Sequence, residues 1–470
     1  MKCRYPLALS LLLSGCALGP PPLPPSPPLV AAPLALPDSQ APAESQWPQG
    51  KWWQAYGDPA LDQLIEQALA GAPGLDAAEA RFGAARQNVR AAAAAAGVKV
   101  DANAGYQRLR LSENGLFPTE FLGFTQYGQA DIGISARYDF DWWGRKRALI
   151  ESAQDAALAS AAETQATALA LAAAITESWF GWQADAARIG LLDQQLQTLE
   201  QSLQLAQRRE AAGLDRGDST PRLRQAQATV RELRAQLEGS QQLRRLQIAA
   251  LLGVSEQTLP PFEARPLPAI DARWPADASL DLVARRPDIA ASRWRIESAR
   301  RDLDAIRAEY YPDISIQALA ALSSIKLDKL FESSSAAPSL GVALHLPLYD
   351  GLRNARHDVA GARLTSVIAQ YNQAVVDAAR EVATSAAAIL QARAQRSQRD
   401  EVLTAAEQSL HLARTRARSG LTDARPELDA QLALLREQDT RILLDQAALV
   451  ADVQLQEALG GGYHYPADTP

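Results

Sequence analysis

Cysteine is nearly absent from this chain of 470 residues, which contains only Cys3 and Cys16. Because Cys3 lies in a segment that we expect to be removed, no internal disulfide is available and stability must come from packing. The chain also lacks a glycine-rich phosphate loop, His-Glu-x-x-His and Cys-x-x-Cys. Its four histidines are scattered along the sequence. We therefore expect no metal site, no cofactor and no enzyme activity.

Strong charge of one sign is also missing, since 47 basic residues face 54 acidic ones and the formal net charge is −7. No basic patch with interleaved aromatic residues is present, so nucleic acid is not an expected partner. Beyond the N-terminus we find no apolar run of about 20 residues, the length that a transmembrane helix needs. Any insertion into a membrane is thus expected to use β-strands or lipid.

The N-terminus has the pattern of a secretory signal, because residues 7–13 form an apolar run too short to span a membrane. The run ends in Leu-Ser-Gly-Cys, which looks like a bacterial lipobox. We predict a lipoprotein signal peptide at 1–15 and lipidation of Cys16; Ala17 fits sorting to the outer membrane, as in lipoproteins generally. A plain signal peptide with an incidental cysteine is the alternative. Residues 16–50 are proline-rich and predict an extended tether, with a proline-rich ligand for a partner as the alternative.

The rest of the chain carries three landmarks twice, in the same order and at nearly one spacing. The recurring pairs are residues 73–81 and 287–295, 140–145 and 346–351, and 213–214 and 420–421. We predict an internal two-fold repeat of a helix–strand–strand–helix–helix unit. Repeat 1 spans 51–265, repeat 2 spans 266–462, and 463–470 form a tail.

Long helices dominate the composition, which is rich in Ala, Leu, Gln, Arg and Glu. Apolar residues between 189 and 206 recur at spacings of three and four, the pattern of a coiled-coil seam. Residues 145–209 contain no proline and predict one helix about 100 Å long. Such a rod suits a bundle or a tunnel; an ordinary coiled coil is the alternative.

Four short segments alternate apolar residues with polar or small ones, and predict strands at about 98–112, 128–142, 312–323 and 338–349. About ten alternating residues match a transmembrane β-strand with lipid on one face and water on the other. Aromatic residues near the strand ends could form interfacial girdles. A sandwich strand with one wet face gives the same alternation, but these strands are isolated among long helices.

Four strands alone leave open edges that lipid cannot satisfy. Two chains would make an eight-stranded barrel filled by side chains, whereas three chains would make twelve strands around a water-filled bore. The predicted fold class is therefore a mixed α/β membrane protein. Four transmembrane strands per chain contribute to a 12-stranded trimeric β-barrel, and long coiled helices form a tunnel.

Together these features resemble the TolC/OprM family of outer membrane efflux factors, and its lipoprotein branch in particular. The lipobox carries the resemblance along with the motifs at residues 53–61, 138–145, 285–289, 311–312, 346–351 and 458–462. The resemblance implies a trimeric barrel in the outer membrane, continuous with a helical tunnel through the periplasm. It also implies docking to a periplasmic adaptor and to an inner-membrane transporter, commonly of the resistance–nodulation–division (RND) class.

We accordingly interpret the chain as a passive exit duct for small molecules, anchored in outer membrane lipid and driven by the inner-membrane pump. An exit duct for type I protein secretion has the same fold and is the first alternative. A lipid-anchored periplasmic coiled-coil scaffold is the second, and it predicts no barrel.

The resemblance further implies a gate at the periplasmic helix tips, which correspond here to the turns at Gly213 and Gly420. Residues 428–431 match the family's Leu-Asp-Ala-Gln, whose Asp belongs to a ring of carboxylates, so Asp429 is the first gate candidate. Three symmetric copies would concentrate negative charge in a narrow mouth. The family often has Arg where Leu432 stands, which argues against a gate salt bridge at that place.

Three further acidic residues of the tips are candidates for gate charge or for adaptor contact: Asp215, Asp218 and Asp423. An acidic residue before a helix is commonly an N-cap, which is the alternative role for all three.

Lipidation predicts a simple result for Cys16→Ala. Cells grown with radiolabelled palmitate should label the wild-type protein, because Cys16 would carry the acyl chains. Cys16→Ala should carry no label, and Cys3→Ala should keep it. Label persisting on Cys16→Ala would refute the lipobox assignment.

Overall fold

The computed structural model describes residues 27–29, 47–112, 123–215, 217–270 and 285–463. The signal peptide, Cys16, most of the tether and the tail after Tyr463 lie outside these residues, and what was predicted for them stays a prediction. The helices are α1 (Pro59–Gly71), α2 (Pro73–Ala96), α3 (Arg145–Ala211), α4 (Ser219–Leu252), α5 (Pro287–Ala308), α6 (Gly351–Arg418) and α7 (Arg425–Ala458). The strands are β1 (Lys99–Arg110), β2 (Gln126–Asp139), β3 (Asp313–Ser324) and β4 (Ser339–His345).

Elements of matching type and similar length follow one another in two series. The first series is α2, β1, β2, α3 and α4, and the second is α5, β3, β4, α6 and α7. The long helices have 67 and 68 residues, and the helix after each has 34. At 1.5 Å per residue α3 and α6 are each about 100 Å long, as predicted for the first of them.

Two compact units divide the chain. The strand unit consists chiefly of Phe82–Ala159 and Arg293–Gln370, and the helix unit of Pro28–Arg81, Ser160–Ser292 and Tyr371–Pro470.

In the strand unit the four strands form one antiparallel sheet in the order β1-β2-β3-β4. The register pairs even-numbered residues with even-numbered ones, as in Ala102 with Ile134 and Ile134 with Ala320. Because directly opposite residues share a face, one face of the sheet is apolar along its central part and the other is mostly polar or small. The alternation predicted from the sequence therefore extends across the whole sheet.

The fourth strand is shorter than predicted, since β4 ends at His345. Pro347 has no N–H to donate to a ladder, which explains why pairing stops before it. Tyr349, expected near the strand end, is 87% exposed, and Trp142 is 67% exposed. Trp143 instead stacks on Tyr311 at 4.6 Å between ring centroids.

Acidic side chains cap the first turn of each long helix, where the chain passes from a strand into that helix. The Asp141 side chain accepts the backbone N–H of Lys146 at 2.8 Å and of Arg147 at 2.9 Å, and so caps α3. Asp350 accepts the backbone N–H of Leu352 at 2.9 Å at the start of α6. The Lys146 ammonium also donates to the carbonyl of Ala96, the last residue of α2.

The helix unit has an aromatic and aliphatic core in which Trp52, Ile175, Trp179 and Phe180 are almost fully buried. Asp58 organises its edge. The carboxylate accepts the Ala60 N–H at 3.0 Å as the cap of α1, and the Trp179 indole N–H at 2.7 Å. It also pairs with Arg265 at 2.9 Å.

Two buried polar contacts join distant parts of the helix unit. Tyr56 donates to Asp452 at 2.7 Å, and burial raises the pKa of both groups. Arg286, 9% exposed, pairs with Asp288 and Glu381 at 2.7 Å each. A buried charge must be paired to be tolerated, and the Arg286–Glu381 pair holds the motif at 285–289 against α6.

One stretch of α3 is long and apolar enough to cross a membrane, by length and composition alone. This differs from the expectation that no such run exists. The same helix supplies Ile175, Trp179 and Phe180 to the core of the helix unit, and a third of the apolar stretch is buried within the chain.

Asp155 gives a pH-dependent test of the strand unit. Burial desolvates this half-buried carboxyl and is the main cause that raises its pKa to about 6, while Arg301 opposes the rise and Glu297 and Glu151 add to it. The unfolded chain binds fewer protons than the folded chain between pH 3.8 and 6, so this carboxyl lowers stability as pH rises through that window. Asp155→Asn should therefore raise the Tm at pH 7.5 by about 1 °C, discounted for solvent screening.

At pH 4 the gain from Asp155→Asn should largely vanish, because the native carboxyl is then protonated. Circular dichroism of the detergent-solubilised protein measures both midpoints, and Glu401→Gln, at an exposed position of α6, serves as the control. An equal gain at both pH values would contradict the assignment.

Candidate functional site

Two turns of the helix unit, here called the tips, carry the predicted gate residues. At the first, Gly213 follows α3 with φ 70° and the Leu214 N–H bonds back to the Arg209 carbonyl at 2.9 Å. At the second, Gly420 has φ 70° and the Leu421 N–H bonds to the Arg416 carbonyl at 3.0 Å. Both turns are left-handed helix ends, the conformation that glycine adopts most readily.

A four-residue ionic cluster joins the two tips. Arg209, in the last turn of α3, pairs with Asp423 at 2.8 Å and lies 3.9 Å from Asp215. Arg425, the first residue of α7, pairs with Asp423 at 3.0 Å and lies 3.9 Å from Asp215. The two carboxylates and two guanidiniums alternate, so the cluster carries no net charge and ties the end of α3 to the start of α7.

The alternative capping role applies to Asp423 but not to Asp218. Asp423 accepts the backbone N–H of Arg425 at 3.2 Å, so it both caps α7 and binds Arg209. Asp218 precedes α4 but makes no side-chain cap bond, and pairs instead with Arg222 one turn along the same helix. Its contacts are local, and it does not join the cluster.

Asp429 lies one turn into α7 and is exposed. Within the described residues its carboxylate has no ion pair and no hydrogen bond. Its neighbour Leu428 is 8% exposed, and Leu432 and Leu435 are similarly buried along one side of α7. Since consecutive helical residues point about 100° apart, Asp429 is turned away from this buried side. Leu432 packs in the interior and supplies no charge.

A second ionic contact ties α3 to α7 away from the tips. Arg188 binds Asp439 through two hydrogen bonds of 2.7 and 3.3 Å, and both side chains are largely buried. Arg188 and Arg209 stand 21 residues apart on α3, about 32 Å along the helix. The α3–α7 pair is thus pinned at two widely separated points.

No group of three or more His, Cys, Asp or Glu side chains suited to a metal ion occurs among the described residues. The carboxylates of the tips are separated by arginines, so they do not form a ligand set.

The chain matches the outer membrane efflux protein family model over residues 64–254 and 280–461. The chain belongs to this family. It is an efflux channel of the outer membrane that extends into the periplasm. The resemblance to the TolC/OprM family is confirmed, and membership of the lipoprotein branch stays a prediction. Members of this family are channel proteins rather than enzymes, and they work in general as trimers with an adaptor and an inner-membrane pump.

Among its relatives, the multidrug resistance outer membrane protein MdtP of Escherichia coli O6:H1 is 31% identical over 465 residues, covering 97% of this chain and 95% of that protein. The outer membrane protein VceC of Vibrio cholerae is 29% identical, with a TM-score of 0.79 over 89% of this chain and all of VceC. The MtrE outer membrane channel of Neisseria gonorrhoeae, solved in an open state, shares the fold at 23% identity. Its TM-score is 0.77, covering 96% of this chain and all of MtrE.

Sequence reasoning located the tips and their acidic residues but missed Arg209 and Arg425. For Arg209 the available signal was its place in the last turn of α3, where a positive charge interacts favourably with the helix dipole. The pairing of Arg209 with Asp423, 214 positions later, follows from packing between helices and has no local sequence pattern.

Proposed function

We propose that three copies of this chain form a passive exit duct, through which an inner-membrane transporter expels small molecules by way of a periplasmic adaptor. The observation that carries the proposal is the open sheet of a single chain. β1 and β4 each pair on one side only within the described residues, and nearly all of their residues are exposed. Such edges need partner strands before they can enter lipid.

Three copies satisfy this requirement with twelve strands, enough for a water-filled bore, whereas eight strands would enclose a filled interior. In this arrangement the apolar face would meet lipid and the polar face would line the bore. The trimer has no catalytic group and no cofactor in this proposal, since the energy comes from the partner, which we expect to be an RND-class pump. The multidrug resistance named for MdtP supports small molecules over a secreted protein as the cargo.

The wall of the duct is proposed to consist of an internal two-fold repeat with boundaries near 51–265 and 266–462. The matched series of elements supports this, as do the two separate family matches. Six quasi-equivalent units would then surround the bore, anchored by lipid at Cys16 of each chain.

The tips are proposed to be the gate. Partly exposed ion pairs contribute about 0.2–1 kcal/mol each, so the Arg209–Asp423 contact is weak enough for a docking partner to break. Three exposed copies of Asp429 would place negative charge around the mouth and favour cations. Asp215 and Asp423 hold the closed tip, and Asp218 contributes exposed charge beside it.

Planar lipid bilayers test the function directly. The purified protein should insert and give discrete, cation-selective current steps, because the weak ion pairs let the proposed gate open and its mouth is negatively charged. A protein that binds membranes but never conducts would contradict the duct and favour the scaffold alternative.

The gate is tested on the same bilayers with two variants. Asp429→Asn should lower cation selectivity, and Arg209→Ala should raise single-channel conductance because the tips separate more easily. Asp193→Asn, which removes an exposed carboxylate paired with Arg234 on α4, is the matched control and should change neither quantity. Unchanged current in both variants would remove these residues from the gate.

A further inference from the structure

A short part of the N-terminal segment is held on α6 through its main chain. The Leu29 N–H donates to the Asn372 side-chain oxygen at 2.8 Å, and the Tyr371 hydroxyl donates to the Leu29 carbonyl at 3.2 Å. Tyr371 is 4% exposed, and all three residues belong to the helix unit. Two adjacent helix residues thus satisfy both main-chain polar groups of one residue that lies more than 340 positions away.

The sequence around Leu29 makes this contact selective. Residues 20–29 contain seven prolines, which have no main-chain N–H. Only Leu23, Ser26 and Leu29 have a main-chain N–H to donate in that stretch of the sequence. Proline also restrains the chain toward an extended conformation before it binds, which lowers the entropy cost of docking. The N–H that interrupts the proline run at Leu29 is the one that Asn372 accepts.

We propose that Tyr371 and Asn372 form a docking site, here called the clip, which fastens the proline-rich tether to α6 at Leu29. Both bonds go to the main chain of Leu29, so the clip recognises a residue with a main-chain N–H and not the leucine side chain.

The clip fixes how far a lipid anchor can reach, a consequence that rests on the lipidation of Cys16 in the proposed function. Thirteen residue steps separate Cys16 from Leu29 and span at most about 43–47 Å. The twenty steps of α6 from Gly351 to Tyr371 rise about 30 Å. The tether is therefore long enough to return along α6 to its first turn, with at most about 13–17 Å to spare.

Hydrogen–deuterium exchange on the full-length protein in lipid nanodiscs tests the clip. Peptides covering residues 20–29 have so few main-chain amides that the retention of a single slowly exchanging hydrogen can be measured. The wild type should retain one slowly exchanging amide, and Asn372→Ala should exchange it at least ten times faster. Gln373→Ala, the exposed next residue, should leave it protected, and so should Leu29→Ala.

Equal protection in Asn372→Ala and the wild type, or no protected amide in the wild type, would overturn the clip. Bilayer conductance of the same samples separates this outcome from a failure of the duct. A conducting channel without the protected amide removes the clip alone, and a protected amide in a protein that never conducts removes the duct alone.

The reach is tested by tether length. Deleting residues 19–24 leaves seven steps, at most about 23–25 Å, which is shorter than the 30 Å along α6. Protection of Leu29 should then be lost in the acylated, membrane-embedded protein, while replacing residues 19–24 by six serines should retain it. Protection that survives the deletion would show that the clip does not set the reach.

Discussion

The structure depends on main-chain hydrogen bonds that one chain cannot complete. A four-stranded antiparallel sheet with an apolar face has two outer edges, β1 and β4, whose polar groups lack partner strands within the described residues. In lipid each unsatisfied N–H or carbonyl costs several kcal/mol, so the strand unit needs partner strands before it can occupy a membrane, and we propose that other copies of the chain supply them. In the proposed trimer, assembly and membrane insertion are therefore one requirement, and the bore follows from the number of strands that closure brings together.

The helix unit meets a different demand, since it must be rigid along its length and still able to change at one end. Its core is dense with aromatic and aliphatic side chains, and its buried Arg286 is paired with Asp288 and Glu381. At the tips the contacts are ionic, partly exposed and individually weak. The chain thus places its strongest packing away from the tips and its most easily broken contacts where movement is proposed.

Much of this could be predicted from the sequence because the signals are periodic. Alternation with period two placed Ile132 and Ile134 on the apolar face, and spacings of three and four placed Leu192 and Leu199 in a buried seam. Contacts between distant segments could not be predicted in this way. The pairing of Arg209 with Asp423 and of Leu29 with Asn372 depends on which distant segments pack together. The gate role of Asp429 stays a prediction, because the ring of carboxylates in which it is proposed to act would include the Asp429 side chains of other copies of the chain.

The central claim is that the open sheet closes only when three chains combine. Native mass measurement of the acylated protein in mild detergent tests this most directly, since one chain weighs 50.6 kDa before processing. The account predicts a single stable species of three chains that separates only on heating, together with loss of the strands. A stable monomer or dimer that retains its strands and conducts ions would contradict it.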